Sequence, residues 1–233
     1  MARRLVLMLA VVAALAAVAG GITPKAEAVA PACSGYVALT FDDGPFPTTN
    51  LLLDRLHDLK VRATFFNLGK AELRYPGVVR REARAGMWFG NHSYDHPYLT
   101  QASPEQLTYQ VREPRLIHRA ITNRLEVLFR PPYGDTNATV RAETARRGMV
   151  EALWTVDTKD YESTTDVIVA RALTVRPGGI ILMHDGKAQT RAALPHIVAG
   201  LRERRLCAGK LARSTTPQQV WPGLETYVKA VKP

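Results

Sequence analysis

Between residues 36 and 205, short runs rich in apolar, β-branched or aromatic residues alternate with stretches of helical periodicity. Tyr36–Phe41, Val61–Leu68, Met87–Gly90, Leu125–Phe129, Val150–Val156 and Gly179–Met183 read as strands. Thr49–Leu59, Pro76–Ala85, a stretch from Ser103 toward Ile121, Asn137–Arg147, Thr164–Thr174 and Thr190–Arg205 read as helices. Ser103 and Gln106 have the spacing of a capping box, and Pro114 is expected to kink or split the helix they start. Strands separated by helices need crossover connections, which implies a parallel sheet. The expected fold is therefore α/β in a single domain, an incomplete (β/α) barrel of seven or eight strands, with an open doubly wound sheet as the alternative. Either fold places its ligand site at the C-terminal ends of the strands.

Five polar clusters fall there. Asp42-Asp43-Gly44-Pro45 follows the first strand, where adjacent carboxylates point apart, so that one can bind a cation while the other stays free as a base. His92-Ser93-Tyr94-Asp95-His96 follows the third strand, and its histidines share a face if the segment is helical. Imidazole with carboxylate suits zinc first, with cobalt or nickel as alternatives, and a two-histidine, one-aspartate set leaves positions open for water and substrate. Arg130-Pro131-Pro132-Tyr133 holds a cationic side chain and a backbone amide on a stiffened turn; the amide could serve an oxyanion. Asp157 to Tyr161 follows another strand. His184 ends the most apolar one, beside Asp185, and such a histidine suits a general acid. The remaining histidines, His57, His118 and His196, lie on predicted helices and read as structural. Each cluster alone also fits an acidic turn, a rigid loop or a buried histidine pair.

TFDDGP, HSYDH, RPPYG, DTKDY and LMH, in this order between residues 40 and 184, resemble the motifs of the polysaccharide deacetylase family, also called the NodB homology domain or carbohydrate esterase family four. That resemblance implies a distorted (β/α) barrel. It implies Asp42 as general base, Asp43, His92 and His96 as ligands of one divalent metal ion, and Arg130 as the residue orienting the base. It further implies Tyr133 as a backbone donor to the oxyanion, Asp160 as the carboxylate tuning His184, His184 as the acid, and Leu182 as a wall of the acetyl pocket. Tyr161 stands where the family usually has tryptophan, at the sugar groove, and leaves substrate preference open. Removal of N-acetyl groups from an N-acetylglucosamine polymer or oligomer is the first expectation. Acetylxylan esterase activity is the second, and an inactive carbohydrate-binding wall protein the reading of another class.

Arg3 and Arg4, the apolar run Leu5–Ala19 and the Ala26-Glu27-Ala28 site have the layout of a secretory signal peptide. Residues 1–28 are thus expected to be removed, leaving 29–233 as the catalytic domain of a secreted or wall-associated protein with no membrane span. Cleavage would remove three basic residues and one acidic one, taking the formal charge from +10 to +8. That charge favours an anionic wall as a partner. The basic residues are scattered and no nucleic-acid motif accompanies them, so nucleic acid is excluded as a partner. A polysaccharide or oligosaccharide is the expected substrate, and a monomer the expected state. In an oxidising compartment Cys33 and Cys207 predict one disulfide; two buried thiols are the alternative.

Overall fold

The computed structural model describes residues 32–221 and 224–233. The predicted signal peptide, residues 1–28, lies outside the described residues. Among the described residues no helix is long and apolar enough to cross a membrane.

The chain runs β1 (Gly35–Asp42), α1 (Thr49–Asp58), β2 (Thr64–Asn67), α2 (Gly69–Arg74), α3 (Pro76–Arg84), β3 (Trp88–Asn91), α4 (Pro104–Thr122), β4 (Leu128–Phe129) and α5 (Ala138–Arg146). It continues through β5 (Val150–Glu151), β6 (Val156–Asp157), α6 (Thr165–Ala172), β7 (Ile180–His184), α7 (Ala188–Glu203), β8 (Leu206–Ala208), β9 (Lys210–Trp221) and β10 (Leu224–Val231). Seven parallel strands form a curled sheet in the order β5-β4-β3-β2-β1-β7-β6, and β8 pairs in parallel with the start of β1. The expected incomplete barrel is what this sheet forms.

Val150–Val156, expected as one strand, is two. β5 pairs with β4 at one edge of the sheet and β6 with β7 at the other. The chain crosses between them in residues 152–155, where the Ala152 amide bonds Phe129 and the Thr155 amide bonds Ile180. Four residues reach at most about 14 Å. The two edges must therefore lie close, which curls the sheet without a ladder to close it.

Alternation along β1 creates two cores, because successive side chains face opposite sides of a strand. Val37, Leu39 and Phe41 pack outward against Leu52, Leu53 and Leu56 of α1 and Leu194, Ile197 and Leu201 of α7. Ala38 packs inward with Phe66, Leu128, Ile180 and Leu182. Asp42 continues the inward series. The final hairpin of β9 and β10, for which the sequence suggested no role, adds Leu211, Val228 and Ala230 to this inner core. Its alternation of buried Thr226, Val228 and Ala230 with exposed Tyr227 is a strand signal.

Ser103 and Gln106 form the capping box expected of α4. Pro114 neither splits nor ends that helix. Its ring packs against Gly69 at the start of α2, where even a methyl group would meet it at 2.9 Å; tertiary contact outweighs the lost backbone bond. Gly90 is equally constrained, since a Cβ there would lie 2.2 Å from the Phe66 ring. Gly90→Ala should destabilise the protein by about 1–3 kcal/mol through overpacking, measured by thermal unfolding. Cys33 and Cys207 are disulfide-bonded, with Cα atoms 5.7 Å apart, tying the segment before β1 to β8.

Candidate active site

Inward-facing residues just past the strand ends converge on one side of the barrel. Asp42 ends β1 and His184 ends β7, and the two are register partners. Adjacent parallel strands lie about 4.8 Å apart, so their side chains stand next to each other. His92 follows β3 and Arg130 follows β4. The Arg130 amide donates to Asn91 at 2.8 Å and locks that pair of ends together.

Asp42 is held by a fully buried cation. Arg130 Nη1 donates to Asp42 Oδ1 at 2.7 Å and to Thr40 Oγ1 at 2.8 Å, and Nε donates to the Ala152 carbonyl at 2.8 Å. The guanidinium carbon lies 4.0 Å from the centre of the Phe66 ring and 5.6 Å from that of Trp154. Phe66 therefore needs the space that Gly90 leaves. Asp42 Oδ2 stays clear of Arg130 and lies 3.7 Å from His92 Nε2.

Asp43, His92 and His96 form one of two groups of potential cation ligands among the described residues. Asp43 Oδ1 lies 3.5 Å from His92 Nε2 and 3.4 Å from His96 Nε2. Three donors around a tetrahedral zinc ion would sit roughly 3.3–3.5 Å apart. Asp43 Oδ1 is buried and has no hydrogen-bond partner. His92 Nδ1 donates to the Arg130 carbonyl at 2.7 Å, which leaves Nε2 with its lone pair toward Asp43. Burial opposes ionisation of Asp43, but the imidazoles around it, His92 foremost and then His184 and His96, outweigh it and hold its pKa at about 2. Burial, and then His92, lower the pKa of His96 and favour the neutral ring a cation needs. The donor set therefore fits a divalent cation.

The histidines do not meet on a helical face. Residues 92–98 are a loop, and left-handed backbone at Ser93 (φ 69°) and His96 (φ 73°) folds it so that both rings turn toward Asp43. Asp43 (φ 71°) and Tyr133 (φ 59°) are left-handed too. Such conformations are uncommon outside glycine and cluster at functional sites. Gln110 on α4 braces the loop, accepting from the Tyr94 amide and donating to Asp95 Oδ1 at 2.6 Å.

Asp160 is fully buried beside His184. Its carboxylate accepts from His184 Nδ1 at 2.6 Å, from the His184 amide at 2.7 Å and from the Thr190 hydroxyl. Burial alone would lower the pKa of His184. The Asp160 bond and charge, with the charges of Asp42 and Asp43 behind them, outweigh burial and raise it to about 9.

Leu182 is buried two residues before His184 on the same inward face. The half-exposed Tyr161 ring meets His184 edge-on at 5.6 Å. Opposite it, the exposed Tyr133 ring packs against His96 at 4.4 Å and stacks on Tyr98 at 4.2 Å. A cavity of about 420 Å³ opens beside Asp43 and His96, with Phe46, Lys70 and Tyr75 among its walls. Direct contacts thus link the expected site residues along one side of the barrel: Arg130, Asp42, His92, Asp43 and His96 in one series, His184 beside Asp42 in register and bonded to Asp160, Tyr133 against His96 and Tyr161 against His184. Tyr98, Thr190 and Gln110 join them from segments that carry no motif, and their places depend on packing alone.

Comparison with known proteins bears on the family and the fold. A family model described as polysaccharide deacetylase matches residues 30–152. The peptidoglycan-N-acetylglucosamine deacetylase PgdA of Listeria monocytogenes is 36% identical over 171 residues, 72% of this chain and 36% of that protein. A chitooligosaccharide deacetylase of Azorhizobium caulinodans is 33% identical over 186 residues, 72% of this chain and 89% of that one. The structure of a family 4 carbohydrate esterase from Streptomyces lividans in complex with acetate superposes with a TM-score of 0.77 at 40% identity. It covers 87% of this chain and 100% of the other. The chain spans 28% to 38% of the length of the first curated relatives it matches, among them a bifunctional xylanase/xylan deacetylase of Cellvibrio japonicus.

Proposed function

The chain belongs to the polysaccharide deacetylase family, and on that premise we propose that it hydrolyses acetyl groups from a glycan, with a divalent cation held by Asp43, His92 and His96. The observation that carries this reading is the orphaned Asp43 carboxylate oxygen, 3.4–3.5 Å from two imidazole nitrogens, with the free oxygen of Asp42 beside it. When bound, the cation would polarise the acetyl carbonyl and acidify a water.

Arg130 keeps Asp42 oriented so that Oδ2 can take the proton of the attacking water. The Tyr133 amide, on its left-handed turn, donates to the oxygen that becomes negative. His184 delivers its proton to the departing sugar nitrogen or oxygen. Leu182 walls the acetyl methyl, and Tyr161 and Tyr133 flank the sugar. The cation we assign is zinc, with cobalt as a functional substitute. Treatment with a chelator should reduce acetate release to background, and added zinc or cobalt should restore it. Full activity after chelation and verified metal loss would contradict the assignment.

N-deacetylation is the first reading of the substrate. A sugar amine is a poor leaving group until protonated, and His184, raised to about 9, stays charged at neutral pH. The relatives named for peptidoglycan and chitooligosaccharide deacetylation support it. O-deacetylation of acetylxylan is the second reading, favoured by the xylan deacetylase relative. Acetate release from N-acetylglucosamine oligomers, peptidoglycan and acetylxylan, measured side by side, separates the two; release from acetylxylan alone reverses the order. We also assign the chain to the extracellular space, on its first 28 residues. A mature N-terminus at Val29 is the expected result of sequencing the exported protein.

A further inference from the structure

The second group of potential cation ligands is Glu72 on α2, His118 on α4 and Glu126 just before β4. One donor atom of each lies within 4.8 Å of the others. The acetyl chemistry uses none of them, and the sequence marked His118 only as structural. All three are almost wholly buried, at 1%, 1% and 2% exposure. His118 Nδ1 lies 2.9 Å from Glu72 Oε1. The ring is fixed from the other side by Phe89, 4.5 Å away between centres. Oε2 of Glu72 and Oε2 of Glu126 are buried without a hydrogen-bond partner.

The charge balance around them is negative. Asn67 Nδ2 donates to Glu72 Oε1 at 3.3 Å and to Glu82 Oε2 at 2.9 Å, which links a third buried carboxylate whose Oε1 is also unpartnered. Arg115 is the cation felt by Glu126, and its Nε donates to the Glu126 backbone carbonyl rather than the carboxylate. Buried carboxylates of this kind are stable only when a counter-charge or a proton meets them.

We propose that Glu72, His118 and Glu126 hold a second, structural divalent cation. Two carboxylate oxygens and one imidazole nitrogen suit zinc. Binding needs the 2.9 Å contact between His118 and Glu72 to open by a few tenths of an ångström, to the separation of two ligands on one ion. The ion would fasten α2 to α4 and to the approach to β4. It would also steady the loop that carries His92 and His96, because the first amides of α2, at Gly69 and Lys70, donate to the Ser93 and Tyr94 carbonyls. The proposal does not depend on the reaction assigned to the first site.

Zinc content per full-length chain, after saturation with zinc and removal of the free ion, tests it. Wild type should hold two equivalents. His92→Ala/His96→Ala should keep one, and His118→Gln/Glu126→Gln should keep one together with acetate release, but with a lowered Tm. The variant carrying all four changes should hold none, which separates the site from weak binding at the exposed His57 and His196. Should the His118/Glu126 pair fail to fold, the count in His92→Ala/His96→Ala decides. One equivalent in wild type and none in that variant overturns the proposal. So does a Glu126→Gln change that raises Tm without altering zinc content, since that is the mark of a proton shared between Glu72 and Glu126.

Discussion

Asp42→Asn should lower kcat by about 10²–10⁴-fold, the usual contribution of a general base, while zinc content stays at the wild-type level. The amide keeps an oxygen for Arg130 but cannot take a proton from water. The same change removes the anion facing a guanidinium that is 0% exposed. Breaking a buried ion pair costs about 3–5 kcal/mol. The lower end applies here, because the Ala152 carbonyl, the Thr40 hydroxyl and the new amide oxygen still accept from Arg130. Tm must therefore be measured beside kcat. A folded, zinc-loaded Asp42→Asn protein with near-normal turnover would remove Asp42 from the mechanism.

Asp160→Asn should move the basic limb of kcat/KM downward. In the wild type His184 titrates at about 9, so activity should hold through neutral pH and fall as pH rises past that value. A cation at Asp43 would offset the share owed to Asp42 and Asp43, whereas the Asp160 share would persist. Asparagine cannot supply the charge, and burial, now less opposed, pulls the imidazole back toward 6.5 or below. At pH 8 the charged fraction would then be about thirtyfold smaller. Stability follows the same sign. A histidine raised from 6.5 to about 9 stabilises the folded state by about 3 kcal/mol below pH 6.5, and this is lost as pH rises through 9. The variant should lose most of that at pH 6 and little at pH 10. A limb unmoved by the substitution would separate His184 from the observed titration.

Strand–helix alternation was enough to indicate a parallel, incomplete barrel, because a periodicity of two or of 3.6 is written in consecutive residues. It was also enough to place Asp42, His92, Arg130, Asp160 and His184 near one rim, since each follows a strand and ligands gather where parallel strands end. Local capping chemistry was equally direct, as at Ser103 and Gln106.

Other features depended on partners distant in the chain. Val150–Val156 has the composition of one strand, and only the positions of Phe129 and Ile180 divide it between the two edges of the sheet. Pro114 remains inside α4 because Gly69, 45 positions earlier, makes room for its ring. Tyr98, Gln110 and Thr190 reach the site through contacts that no local pattern encodes. Glu72, His118 and Glu126 are three unremarkable residues spread over 55 positions, and packing alone buries them together. The residue order determined periodicity, caps and the rim on which the chemistry stands, because those are short-range properties. Tertiary structure decided which carboxylates lost their water and what charge faced them, because desolvation and Coulomb energy depend on distance in space.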